Sequence, residues 1–165
     1  MNTAQNSRDG WRWLLVSAAV VLADQASKAY IARHYGEFEF TRVLPVLDIT
    51  RMQNVGAAFS LLASASGWQR WFFIALALGV SVALTTWLLR MPRGANKLLS
   101  AGLALILGGA VGNVIDRIRI GSVIDFIHFH WNQAYFPAFN LADSAITVGA
   151  GLLLLDALLD SRRKR

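Results

Sequence analysis

Two aspartates, Asp125 and Asp143, stand on either side of one short connection between two very hydrophobic segments. A carboxylate close to hydrocarbon loses its hydration, which disfavours the charged form unless a partner compensates for the loss. When two carboxylates lie close together, like-charge repulsion makes the pair share one proton near neutral pH. Such a pair can activate water with its ionised member and polarise a peptide carbonyl with its protonated member, which is the chemistry of an aspartic peptidase.

Each acid also has a simpler interpretation. Asp143 comes immediately before Ser144 at the start of a hydrophobic segment, where aspartate is a favoured helix N-cap. Asp125 lies between Ile124 and Phe126, so it either points outward from a strand or is held for a function, and in a membrane protein the second interpretation is favoured. The two acids together are therefore more specific than either one alone.

The composition predicts the elements that must position these acids. Of 165 residues, 55% are hydrophobic and only 16% are charged, which is typical of an integral membrane protein, here with a single domain over residues 1–165. Four apolar segments predict an all-α fold with four transmembrane helices, over about residues 11–30, 68–89, 98–115 and 144–159. No strong small-residue cleavage site follows the first segment, so we interpret it as a permanent span and not as a signal peptide.

The two longer connections, 31–67 and 116–143, are expected on the extracytoplasmic side. Polar and apolar residues partly alternate in residues 38–43 and again in 48–52, which predicts a small extracytoplasmic β-sheet formed by a strand pair on the membrane surface. Residues 54–67 are rich in Gly, Ala and Ser, and we interpret them as a turn into a short helical or re-entrant segment. Together these pieces could form a clamp over a bound substrate.

The distribution of charge predicts the orientation. Four spans put both termini on one side, and that side carries nine basic residues against three acidic ones, whereas the other side carries seven of each. Because basic residues collect on the cytoplasmic side of membrane proteins, we expect both termini in the cytoplasm and both acids at the outer edge of the membrane. The net charge of +6 gathers at the span ends, which favours lipid and not nucleic acid as the acidic partner.

Other kinds of catalytic site find little support. The absence of cysteine excludes disulfides and thiolate nucleophiles. His128 and His130 could share one face of a strand, but no third ligand has a suitable spacing, so no metal is expected. A Ser–Lys pair is disfavoured because Ser27 and Lys28, as neighbours on a helix, do not face each other.

Two glycines of the third apolar segment, Gly108 and Gly112, lie four residues apart. This spacing lets neighbouring helix backbones approach closely in lipid, so we interpret it as a packing face and not as a phosphate loop. No nucleotide or other cofactor is therefore expected.

Several further polar residues are expected near the two acids. Arg117 could stabilise the ionised acid or hold a substrate carbonyl. Asn54, Asn113 and Asn140 fall near the predicted outer surface, where their amides could bind an extended peptide backbone. We interpret Asp116 as a polar residue that ends the third span.

Five blocks of the sequence resemble, in order, those of the bacterial lipoprotein signal peptidases, the signal peptidase II family of membrane aspartic peptidases. The resemblance covers nearly the whole chain, and the matching blocks are residues 24–28, 54–60, 108–117, 123–126 and 139–144. A single block would be weak evidence, whereas five in order in a chain with four predicted spans make a specific match.

The resemblance implies a function and a location. The expected activity is that of an aspartic endopeptidase at the membrane edge, which removes the signal peptide from prolipoproteins just before a diacylglyceryl-modified cysteine. The location would be the bacterial cytoplasmic (inner) membrane, with the active site at the outer face. The resemblance also implies inhibition by globomycin-type cyclic peptides, and we expect a monomer.

The resemblance also implies roles for individual residues. Asp125 and Asp143 take the positions of the catalytic dyad of the family. The residues in substrate binding or dyad support would be Asn54, Asn113, Arg117 and Asn140. Asp24 and Lys28 match the block in the first span, where a structural or supporting role is expected.

Interpretations from other protein classes remain open at this point. A small proton-coupled transporter or channel subunit could use Asp24 and Asp125 as intramembrane carboxylates, but it gives no reason for two acids at one outer edge. A structural assembly subunit predicts that neither Asp125 nor Asp143 matters for activity.

Overall fold

A computed structural model describes residues 9–56, 67–92, 94–132 and 134–163 of the chain. The helices in these ranges are α1 (Trp11–His34), α2 (Trp68–Arg90), α3 (Lys97–Ile120) and α4 (Leu141–Arg163). All four are long and apolar enough to cross a membrane. Together with a small antiparallel sheet, they confirm the predicted fold class.

The sheet has the strands β1 (Phe40–Leu44), β2 (Leu47–Asn54), β3 (Val123–Trp131) and β4 (Ala134–Tyr135), which lie side by side in this order. All neighbouring strands are antiparallel. The predicted strand pair lies in the first long connection, whereas β3 and β4 come from the second. The first four residues of β3 are all buried, so its sequence is a continuous apolar run without the alternation that marks a half-exposed strand.

The central helix is α3, which packs against α1, α2 and α4. Glycine permits its closest approaches. A Cβ added at Gly108 would lie 2.8 Å from the carbonyl oxygen of Ser17 in α1, and one added at Gly112 would lie 2.6 Å from Oδ2 of Asp24. The absence of side chains at these two positions therefore brings α1, and one of its acids, directly against α3.

The sheet is anchored over one end of the helices. Ile31 of α1 packs in a buried cluster with Ile124 and Phe126 of β3. From β2, Nη1 of Arg51 donates hydrogen bonds to the carbonyl oxygens of Ala32 and Tyr35 at the end of α1, at 3.2 and 3.0 Å. These contacts satisfy carbonyls that have no partner within the helix, and they fix the height of β3 above the bundle.

The end of α3 and the start of α4 differ from the boundaries predicted from the sequence. α3 continues to Ile120 and ends at Gly121, whose positive φ of 81° suits glycine, so the interpretation of Asp116 as the end of a span is wrong. α4 begins at Leu141, which puts Asp143 inside the first turn and makes Asn140 the capping residue instead. Both acids are tolerated inside helices because buried partners satisfy them. The predicted short helical or re-entrant segment lies outside the described residues, apart from its ends.

Candidate active site

Asp125 lies on β3 with its side chain 3% exposed. Each of its carboxylate oxygens accepts one amide hydrogen bond. Nδ2 of Asn140 donates to Oδ1 over 2.7 Å, and Nδ2 of Asn54 donates to Oδ2 over 3.1 Å. In the part of the chain that the structure describes, two neutral donors and no cation bond to this buried carboxyl group.

A bulge in β2 sets the neighbours of Asp125 in the sheet. Ile49 pairs with Ile127, but Met52 pairs with Asp125, so β2 carries one residue more than β3 over this interval. A regular register would put Arg51 opposite Asp125. With the extra residue, Arg51 reaches the end of α1 instead, and the carboxyl group of Asp125 has an uncharged cross-strand neighbour.

Asp143 lies in the first turn of α4 and shares a reciprocal cap with Asn140. The backbone N–H of Asp143 donates to Oδ1 of Asn140 over 2.9 Å, and the backbone N–H of Asn140 donates to Oδ2 of Asp143 over 3.3 Å. This is the geometry of a capping box, in which two otherwise unpaired amides are satisfied. The other oxygen of Asp143 accepts a hydrogen bond from Nδ2 of Asn113, at 2.8 Å.

Two asparagines join the two acids. Asn140, which is fully buried, bonds to Asp125 through its side chain and to Asp143 through its backbone. Its Nδ2 also lies 3.2 Å from Oδ1 of Asn113, the residue that donates to Asp143. Asn140 therefore contacts both carboxyl groups directly, whereas Asn113 bonds to Asp143 and reaches Asp125 only through Asn140.

The pKa of Asp125 is raised from 3.8 to about 7. Burial is the largest cause, and the nearby negative charge of Asp143 adds to it. The hydrogen bonds from Asn54 and Asn140 oppose the shift without cancelling it. Asp125 can therefore keep a proton near neutral pH, which is the condition for a pair of acids with one protonated member.

Both acids open into a cavity of about 490 Å³. Arg117 also lines it, and its Nη2 donates to the carbonyl oxygen of Gly56 over 3.1 Å while its guanidinium lies 5.2 Å from the centre of the Phe73 ring. The cavity is also lined by residues of β3, β4 and the segment after β4, namely His128, Tyr135, Phe136, Pro137 and Ala138. The cavity is large enough for a short stretch of polypeptide.

A second group of charges lies behind the first. Nζ of Lys28 is 2.9 Å from Oδ2 of Asp24, 2.9 Å from Oδ2 of Asp116 and 2.9 Å from Oδ1 of Asn113. The Lys28 side chain is only 2% exposed, and all three of its N–H donors are used. A buried lysine of this kind is tolerated because two carboxylates compensate its charge.

These two carboxylates also hold the backbone next to Asp125 and Asp143. Oδ1 of Asp24 accepts the N–H of Ala142 over 3.0 Å, and Oδ2 of Asp116 accepts the N–H of Ile124 over 3.2 Å. Each of these amides belongs to the residue immediately before one of the two cavity acids. The buried charges therefore help to set where both acids stand.

Gln25 completes the buried group. Its Nε2 lies 2.9 Å from Oδ1 of Asp116, 3.2 Å from Oδ2 of Asp24 and 3.2 Å from the carbonyl oxygen of Gly112. The side chain therefore crosses from α1 to α3 and satisfies acceptors on both.

Comparison with known proteins identifies the family. The model of the family described as signal peptidase (SPase) II matches residues 16–159. The chain belongs to the signal peptidase II family. It is therefore a peptidase and, with its four apolar helices, a multi-pass membrane protein.

The similar proteins agree with this assignment. The chain is 49% identical to a lipoprotein signal peptidase of Shewanella pealeana over 152 residues, 91% of this chain and 88% of that protein. It is 47% identical to one of Shewanella woodyi, over 90% of this chain and 84% of that protein. A bacterial membrane enzyme solved by the in meso method at 2.3 Å resolution matches with a TM-score of 0.81 and 32% identity, over 93% of this chain and 92% of that one.

In this signal peptidase II family member, the structure brings together most of the residues singled out from the sequence. Asp125, Asp143, Asn54, Asn113 and Arg117 all line the cavity. Asn140 stands directly behind it and bonds to both acids. Asp24 and Lys28 form the buried ion pair behind the dyad, and Gly108 and Gly112 lie in the contact between α1 and α3.

Sequence reasoning missed Asp116 and Gln25 as members of the site. A signal for Asp116 was present, because it follows Asn113 by three residues and so shares a helix face with it. Gln25 is adjacent to Asp24, and only the packing of α1 on α3 brings it to Asp116. Among the described residues, no group of three or more histidine or acidic side chains could hold a metal ion.

Proposed function

We propose that the chain is an aspartic endopeptidase that removes the signal peptide from diacylglyceryl-modified prolipoproteins, cleaving just before the lipid-modified cysteine. The observation that carries the proposal is that Asp125 and Asp143 share the hydrogen bonds of one buried asparagine in one cavity. The relatives named lipoprotein signal peptidase support the substrate class. The transporter alternative is not favoured, because the family is one of peptidases.

The raised pKa of Asp125 supports different roles for the two aspartates, one as acid and one as base. Asp143 is the base, and it takes a proton from a water molecule whose oxygen bonds to the scissile carbonyl carbon. Asp125 is the acid, and its proton goes to the carbonyl oxygen. When the resulting tetrahedral intermediate collapses, the peptide C–N bond breaks, the proton held by Asp143 goes to the leaving amine, and a hydroxyl proton of the intermediate returns to Asp125. Both acids are then back in their starting states.

The amides around the dyad support this chemistry by fixing the acids. Asn113 and Asn140 hold both carboxyl groups in one orientation, and Asn54 bonds to Asp125 from β2. Such fixed dipoles need no reorganisation when charge moves in the transition state. Arg117 lines the same cavity and donates a hydrogen bond to the carbonyl oxygen of Gly56.

The proposed location follows from the lipid on the substrate. A diacylglyceryl group keeps the scissile bond at the membrane edge, and both acids lie where the helices meet the sheet. The charge distribution of the sequence favours cytoplasmic termini, so this end of the bundle would face outward from the bacterial inner membrane. In this proposal the enzyme acts as a monomer in contact with membrane lipid, and globomycin-type peptides compete with the substrate for the cavity.

The test is cleavage of a purified prolipoprotein with and without its diacylglyceryl group. We expect cleavage of the lipid-modified form only, with the new N-terminus at the modified cysteine. Reaction in H₂¹⁸O should put one labelled oxygen into the released signal peptide carboxylate, because water attacks directly. Equal cleavage of the unmodified form would contradict the proposed substrate, and proton flux through vesicles without any cleavage would favour the transporter.

A further inference from the structure

His128 lies in the wall of the cavity that contains both acids. It is half-buried, and its ring stacks on that of Tyr135. Neither of its ring nitrogens is hydrogen-bonded to any residue in the part of the chain that the structure describes. An imidazole in a partly enclosed wall therefore has its donor and acceptor available for a ligand.

An irregularity in β3 turns His128 toward the cavity. In a regular strand, residues three positions apart point to opposite faces, so His128 would point away from Asp125. Here the backbone N–H groups of two consecutive residues, Phe126 and Ile127, both donate to the carbonyl oxygen of Phe139, at 3.0 and 2.8 Å. This local bulge breaks the alternation, and Asp125 and His128 both line the cavity.

Two further rings, those of Tyr135 and His130, support the orientation of the His128 side chain. Its ring stacks on Tyr135 with centroids 5.5 Å apart and an angle of 18°, and Tyr135 also contacts the ring of His130 at 5.6 Å. Nε2 of His130 lies 3.3 Å from Oδ2 of Asp48, and Arg42 reaches the other oxygen of this buried carboxylate at 3.3 Å. A row of three rings thus ends at a charged anchor, which fixes the ring presented to the cavity.

We propose that His128 is a substrate-binding residue, whose N–H donates a hydrogen bond to a carbonyl oxygen of the substrate. The inference rests on the proposed function, in which an extended peptide with a glyceryl ester enters this cavity. The amides of Asn54, Asn113 and Asn140 already bind carboxylates or one another, and Arg117 binds Gly56. His128 can therefore take a substrate carbonyl without disturbing the dyad.

The test compares two substitutions with a matched control. His128→Phe keeps a ring that can stack on Tyr135 but removes the N–H, whereas His128→Gln keeps an N–H donor. We expect His128→Phe to raise KM about 10-fold with kcat little changed, as for one lost hydrogen bond, and His128→Gln to recover most of this loss. His34→Phe is the control, because His34 also stacks on a tyrosine, Tyr30, but lies outside the cavity.

Any of the following outcomes would overturn the proposed role of His128. An unchanged KM in His128→Phe, or a lower kcat at unchanged KM, excludes a binding role. Equal defects in the Phe and Gln variants assign the effect to the stacked ring and not to the N–H. If His128→Phe does not fold, His128→Leu takes its place, and failure of both to fold makes the residue structural.

A second substrate identifies the carbonyl. Replacing the ester-linked acyl chains by ether-linked alkyl chains removes the ester carbonyls and keeps the peptide. If His128 binds an ester carbonyl, His128→Phe should not change the KM for the ether substrate. If His128 binds a peptide carbonyl, the KM for the ether substrate should rise by the same factor of about 10. If the wild-type protein cleaves neither substrate, the proposed function itself is refuted. Wild-type cleavage with a normal KM in His128→Phe refutes this inference alone.

Discussion

Two pairs of aspartates in the described part of the chain differ in what lies between them. Asp24 and Asp116 are bridged by the ammonium group of Lys28, at 2.9 Å from each. Asp125 and Asp143 are joined by a neutral residue, Asn140, whose side-chain amide donates to Asp125 and whose backbone N–H donates to Asp143. A cation in direct contact with two carboxylates offsets the repulsion between them, whereas a neutral amide carries no charge to do so. We therefore infer that the pair around Lys28 is structural and that the pair around Asn140 is the one that can exchange protons.

The two pairs are also connected. Oδ1 of Asn113 accepts a hydrogen bond from Lys28, and its Nδ2 donates to Asp143. Lys28 thereby fixes which end of this amide faces the dyad, because an ammonium group can only donate. The structural pair therefore orients a donor of the proposed catalytic pair.

The largest expected effect is on the pair without a cation. Asp125→Asn and Asp143→Asn each remove one proton-transfer group while keeping the size of the side chain. We expect each variant to lower kcat by at least about 10³-fold, while the protein still inserts into the membrane. The measurement is single-turnover cleavage of the diacylated substrate, with insertion checked by membrane extraction. Full activity in either variant would refute the dyad.

Removal of the cation from the other pair tests the structural role. Lys28→Met leaves two buried carboxylates without their partner, and we expect a loss of roughly 3–5 kcal/mol in the free energy of unfolding. Thermal unfolding in detergent measures this loss. Adding Asp116→Asn should recover part of it, because one buried charge is removed. Lys97→Met, at an exposed lysine in the first turn of α3, is the matched control, and an equal loss there would contradict a specific role for Lys28.

The amide bridge can be broken without changing any charge. Asn140→Ala removes the donor to Asp125 and the cap of α4, so we expect kcat/KM to fall about 100-fold through misplacement of the acids. The accompanying loss of stability should be only about 1 kcal/mol, as for other caps. Asn96→Ala is the control, because Asn96 caps α3 at the opposite end of the bundle. A similar loss of activity in both variants would assign the effect to capping alone.

The smallest expected effect is on the pH dependence of stability. The pKa of Asp125 is raised from 3.8 to about 7 in the folded protein, so folding favours its protonated form. This contribution is complete below about pH 4 and is lost as the pH rises toward 7. Asp125→Asn should therefore unfold at a higher temperature than the wild type at pH 8, with a smaller difference at pH 4. A difference independent of pH would contradict the shift.

The sequence could predict the elements of the fold because hydrocarbon selects strongly for composition. A run of apolar residues long enough to cross a bilayer is a local property, and the four helices follow from it. The family resemblance likewise depended on the order of local blocks. Strand β3 escaped prediction because a strand buried on both faces has no alternation to detect.

What the sequence alone determined about this protein is therefore its four apolar helices, the small sheet in the first connection and the identity of the two acids in the cavity. Only the tertiary structure decided which acids pair with which partner. Lys28 and Asp116 are far apart in the chain, and they meet because Gly108 and Gly112 let α1 pack directly on α3. The physical reason is that the protonation of a buried acid depends on its desolvation and on the charges nearest in space, neither of which is specified by spacing along the chain.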